Sequence, residues 1–234
     1  MRVPEILSHF TLGDVAALAF LFALWRVLVW KIEHPPANHP SVTWLMAGFR
    51  REWMKVFVTR TPRIFDGGVV ESLRQSTAFF ASASMIALGA CVALLGDGAR
   101  LAGVAETFLP DSSALSLQAK LVLVILMVAN AFLKFVWSNR LFGYCSVLMA
   151  SVPNSPDHPQ AYSRAAVAAE INITAARSYN RGLESVYFAI AALAWLAGPL
   201  PLAVATAVTG AVIARREFAS RSRKAILALH TSET

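Results

Sequence analysis

Three sets of polar residues lie inside or beside apolar runs of this sequence, and their spacing puts each set on one side of a helix. Asn130, Lys134 and Ser138 stand at i, i+4 and i+8, which aligns them along a single stripe. Polar groups at membrane depth are costly, so they either carry function or bond a neighbouring helix. On the functional reading this stripe walls a pore or cavity. On the structural reading Lys134 snorkels to the interface while Asn130 bonds across helices.

Glu170, Thr174, Arg177, Arg181 and Glu184 repeat at spacings of four, three, four and three. An opposite-charge pair such as Arg181 and Glu184 stabilises a helix by only about 0.2–0.5 kcal/mol, too little to explain five polar groups in a row. The stripe either faces water or lines a vestibule whose cations meet an anion. Asn130, Lys134, Ser138, Arg177, Arg181 and Glu184 are therefore the expected pore or vestibule residues. The third set is Arg60, Arg63 and Asp66 in RTPRIFD. An Arg–carboxylate fork there pins an interfacial helix to the start of the next span, a structural staple rather than a ligand site.

Other chemistries find no support in the residues. No GxxxxGK[ST], GxGxxG or GxSxG occurs in a suitable context. His34, His39 and His158 sit beside prolines without a metal-ligand framework. Neither a cofactor nor a metal is expected, and no convergent nucleophile, acid–base or metal set argues for an enzyme. Cys91 and Cys145, the two cysteines, fall in apolar stretches and read as small core residues. Asn172-Ile-Thr174 matches a glycosylation acceptor only by its letters. The basic residues lie beside apolar segments rather than in a nucleic-acid module, so no nucleic-acid partner is expected.

The elements that must position these groups are membrane helices. Of the 234 residues 56% are hydrophobic and only 15% charged, against about 45–50% and 25% in soluble domains. Mean hydropathy is +0.54. The fold expected is an all-α integral membrane protein, one domain over residues 1–234, with about five transmembrane helices near 14–30, 77–95, 117–136, 184–198 and 201–214. Trp25, Arg26, Trp30 and Lys31 anchor the first at its far end, which reads as a retained anchor rather than a cleaved signal. The last two spans form a short hairpin broken at Gly198-Pro199-Leu200-Pro201, because prolines cannot continue a helix. Two further helices, near 41–60 and 162–182, are expected to lie at the interface. Met46, Phe49, Trp53, Val56, Phe57 and Arg60 make the apolar stripe of the first, with Arg50, Arg51 and Lys55 mostly off it. A turn is expected around Pro62 and Asp66-Gly67-Gly68.

Lys and Arg accumulate in cytoplasmic segments. With the N-terminus outside and the C-terminus inside, all 21 Lys and Arg except Arg2, Arg100 and Lys120 fall on the inner side. That bias accounts for the net charge of +7 and argues for a bacterial inner (cytoplasmic) membrane. A single final span would put Arg215, Arg216, Arg221, Arg223 and Lys224 outside. Small residues recur every fourth position at Ala203, Ala207 and Ala211, at Thr206, Gly210 and Ala214, and at Ala83, Ala87 and Cys91, which suits close helix packing within or between subunits.

The stretches RTPRIFDGGVVESLRQSTAFFASAS and AARSYNRGLESVYFAIAALAWLAGP, with RREF after the last span, resemble a bacterial and plant membrane-protein family catalogued as domain of unknown function 599. The resemblance runs from about Trp53 to Phe218. It implies a multi-span protein and carries no activity. The family's recurring residues map here to Arg60, Arg63, Asp66, Phe79, Phe80, Arg177, Tyr179, Asn180, Arg181, Gly182, Tyr187 and Phe188. Beside the lipid bilayer, the expected partners are copies of the chain in a homo-oligomer and a small ion. The function expected is an oligomeric channel or passive pore leaning to anions. The alternative is a non-transporting scaffold or assembly subunit of a larger complex.

Overall fold

The computed structural model describes residues 10–99, 103 and 114–232. The sequence readings placed on Arg2 and Arg100 lie outside the described residues. Every described element is a helix: α1 (Leu12–Glu33), α2 (Val42–Thr59), α3 (Ile64–Gly96), α4 (Ala114–Ala150), α5 (Ala161–Leu193), a 3-10 turn (Ala194–Ala197), α6 (Pro199–Phe218) and α7 (Arg221–Ser232). Helices α1, α3 and α4 are long and apolar enough to cross a membrane. Only 6% of the most apolar stretch of α3 is buried, and Phe79, Met85, Ile86 and Val92 of that helix are each more than half exposed. Burying one such side chain is worth about 1.5–3 kcal/mol, so an exposed apolar row of this length belongs in lipid. The described residues thus form a helical protein of membrane type.

Two boundaries differ from those expected, at the start of α3 and along α5. Helix α3 begins at Ile64, so Asp66-Gly67-Gly68 is its first turn and not a loop. The Asp66 carboxylate in that first turn meets the positive end of the helix dipole, which offsets the weak propensity of two glycines. Helix α4 continues beyond the span expected to end near 136, through LFGYCSVLMA to Ala150 and short of Pro153. The expected interfacial helix at 162–182 and the span at 184–198 are one continuous helix to Leu193. The break falls at Gly198, whose φ of 115° favours a residue without Cβ, and Pro199 opens α6 with its φ already set.

The chain forms two compact units. The first takes residues 1–31, 83–131 and 183–215. In it Phe188 is fully buried and stacks on Trp25 at 5.5 Å, while Leu117 packs against Leu94 and Leu196. Helix α6 buries Leu202, Thr206, Gly210 and Ile213, the Thr206–Gly210 stripe of small residues. Ala207 and Ala211 are exposed, as are Ala83 and Ala87 on α3.

The second unit takes residues 32–82, 132–182 and 216–234. Ser41 caps α2, accepting from Trp44 N at 3.1 Å while its Oγ donates to the Ile32 carbonyl at 2.6 Å. The core joins Met54, Phe57 and Val58 of α2 to Phe142 and Met149 of α4 and to the alanine-rich face of α5. The buried face of α2 is therefore turned from the one its large side chains suggested. Met46 and Val56 are exposed and Trp53 is half-buried. Small residues let helices approach, and the alanines of α5 accept Met54 and Phe57, which brings Arg50 onto the packed face. Phe80, Phe135 and Tyr179 form an aromatic cluster with centroids 5.5–5.8 Å apart.

Candidate functional site

A cavity of about 410 Å³ lies within the second unit. Helix α2 offers it Thr43, Ala47 and Arg50, spaced four and three. Helix α5 offers Ile173, Arg177 and Asn180, spaced four and three, and the end of α6 supplies Glu217. Those spacings present one face of each helix to a common space.

Two neutral side chains hold the charged ones in place. Asn172, fully buried, accepts a hydrogen bond from Arg50 Nη1, and its own amide donates to Cys145 Sγ at 3.5 Å. Burial strips water from the Arg50 guanidinium and pulls its pKa down from the ordinary arginine value. On the other side, Thr43 binds the Glu217 carboxylate twice, from N at 3.0 Å and from Oγ1 at 3.2 Å. Asn180 Nδ2 donates to the same Thr43 Oγ1 at 3.2 Å. Arg177 is exposed at the cavity, and among the described residues its side chain has no hydrogen-bond or ion-pair partner. The arrangement can bind charge.

Of the six residues expected to line a pore or vestibule, Arg177 alone lines this cavity. Lys134, Ser138 and Arg181 belong to the same unit but do not line the cavity. Ser138 is buried and donates to the Ala175 carbonyl at 2.7 Å. Lys134 is half-buried, and its carbonyl accepts from Ser178 Oγ at 3.0 Å. Arg181 forks onto Glu33, with Nε and one Nη each 2.6 Å from a carboxylate oxygen. Asn130 and Glu184 belong to the first unit. There Asn130 Nδ2 donates to Ser185 Oγ at 2.7 Å, and Glu184 is buried.

The RTPRIFD residues divide their work. Asp66, fully buried, accepts from Arg60 Nη1 at 2.5 Å and from Trp53 Nε1 at 2.6 Å. Arg63 turns away from it, to the carbonyls of Val58, Val152 and Pro153 at 2.8–3.0 Å. It thereby ties the end of α2 to the segment after α4.

Sequence reasoning missed Thr43, Arg50 and Glu217. The signal available was weak: Thr43, Ala47 and Arg50 share a face, but larger apolar residues on α2 pointed elsewhere. It also missed a cluster in the first unit. Asp14 and Lys120 are both buried. Asp14 accepts from Trp195 Nε1 at 2.7 Å and from Thr11 N and Oγ1 at 2.8 and 2.7 Å, and Lys120 Nζ lies 5.6 Å from the Trp195 ring centre. Among the described residues no group of three His, Cys, Asp or Glu is placed to hold a metal.

The family model described as "Protein of unknown function, DUF599" matches residues 16–222, and the chain belongs to that family. No curated protein and no solved structure matches it.

Proposed function

We propose that this DUF599 member is a multi-span protein of the bacterial inner membrane that takes a small anion into the Arg50–Arg177 cavity, as the vestibule of an oligomeric, anion-leaning channel or pore. The observation that carries the proposal is Arg177: an exposed guanidinium at a cavity, with no carboxylate partner among the described residues. Arg50 adds a second, desolvated cation in the same cavity, and a cation with little water around it gains more from an anion. The charge distribution supports five spans with the C-terminus cytoplasmic, the apolar end of α5 and most of α6 forming the last two.

The test is reconstitution of the folded protein into liposomes with an anion-flux or planar-bilayer readout. Wild type passes anions in preference to cations, and Arg177→Glu abolishes or reverses that preference. Arg140→Glu, at a residue that does not line the cavity, leaves it unchanged. A second reading, a non-transporting scaffold or assembly subunit, draws support from the use of span polar groups between helices, such as Asn130 on Ser185 and Ser138 on Ala175. Well-folded protein that passes no ion at any voltage or pH selects that reading.

A further inference from the structure

The cavity carries charge of both signs, and the two signs are kept apart. Arg50 spends its hydrogen bond on neutral Asn172. Glu217 lines the same cavity and accepts only from Thr43, and among the described residues it has no ion-pair partner. Arg177 has none either. In a site made only for anions, a carboxylate in the wall works against binding, since it repels the ligand and lowers the local potential. In a structural staple the opposite charges meet, as Arg181 meets Glu33 and Arg60 meets Asp66. Here they do neither. Neutral partners orient both signs toward one space, which leaves an anionic and a cationic group of a ligand each with a waiting counter-charge.

The walls between them are apolar: Met46, Phe142 and Ile173 face the same space. The volume of about 410 Å³ falls in the range of small-molecule sites, about 300–1,000 Å³. It far exceeds the share of one water, about 30 Å³, so a bare inorganic ion leaves most of it unfilled.

We infer that the cavity is a site for a small zwitterion, its acid group held by Arg50 and Arg177, its ammonium by Glu217, and its apolar body by Met46, Phe142 and Ile173. The inference rests on the proposed anion site and sharpens its ligand class. Two sources share this chemistry, a free aliphatic amino acid and a phosphoethanolamine headgroup, and the experiment separates them.

The experiment is titration calorimetry on the full chain in a maltoside detergent, whose head carries no charge. The probes are leucine, 4-methylpentanoate (the acid without ammonium), 3-methylbutylamine (the amine without acid) and glycerophosphoethanolamine. At least one zwitterion binds the wild type about tenfold or more tighter than either half-molecule, because a site with a charged partner in place rejects ligands that leave it unmatched. Which zwitterion binds identifies the source. Glu217→Gln keeps an oxygen for Thr43; it removes the advantage of the zwitterion over the acid while leaving the acid's affinity unchanged or improved. Arg177→Gln weakens the zwitterion and the acid together and spares the amine. Thermal melts establish that both variants are folded. An acid that binds wild type as tightly as the zwitterions overturns the inference and leaves the anion site standing, as does a Glu217→Gln variant that binds zwitterion undiminished. Binding of none of the four by folded protein overturns both.

Discussion

Arg50 of α2 donates to Asn172 of α5 across 122 residues of sequence, and the acceptor is fully buried. The guanidinium so held sits on the packed face of α2 rather than on its solvent side, about one turn from Ala47 and two from Thr43. Everything at the cavity follows from that placement, because it fixes which side chains of α2 meet α5.

Removing the acceptor leaves the desolvated guanidinium without its partner. Asn172→Leu should destabilise the protein by about 1–3 kcal/mol. The double variant Arg50→Met/Asn172→Leu should recover part of the loss, since replacing both partners by apolar groups of similar shape is nearly neutral. Thermal melts of the single and double variants check this, and strictly additive losses would show that the two side chains do not depend on each other.

Trp53 is half-buried and bonds the buried carboxylate of Asp66. Trp53→Ala should cost about 3 kcal/mol, the low end for a large aromatic in a core, because part of its ring faces outward. Trp53→Phe keeps most of the packing and should cost less, about 1–3 kcal/mol, for the lost donor. Chemical denaturation compared across the pair separates the two contributions; equal losses would rule out a packing role.

Glycine positions give a contrast without any ligand. A Cβ at Gly182 comes within 2.6 Å of the Phe135 ring, and that ring is fully buried in an aromatic cluster. Gly182→Ala should therefore cost about 1–3 kcal/mol from overpacking. At Gly67 nothing stands within 4 Å of the added atom, so Gly67→Ala should gain about 0.5–1 kcal/mol of helix propensity. Melting temperatures moving the same way for both would contradict the packing described for α5.

Topology is open to direct measurement. Fusions that report periplasm or cytoplasm, placed at Thr234 and between Asp97 and Ser113, should read cytoplasmic and periplasmic respectively. A periplasmic signal at Thr234 rules out five spans and leaves the basic residues of α7 on the outer face.

The sequence alone determined the helical membrane class, the apolar spans within α1, α3 and α4 and the break at Gly198, because these rest on local terms. Hydropathy over a span-length window, proline and glycine conformations and the charge bias act on residues close in the chain. The Arg60–Asp66 contact was legible for the same reason, with its partners six apart. Tertiary structure decided which face of α2 is buried, where Arg181 finds its carboxylate and what lines the cavity. Thr43 and Glu217 are 174 residues apart, and no periodicity within either helix connects them. On α2 the largest apolar side chains indicated one face, whereas the alanines of α5 selected another by allowing closer approach. The packing energy that put Arg50 inside belongs to the pair of helices, so neither sequence segment carried it alone.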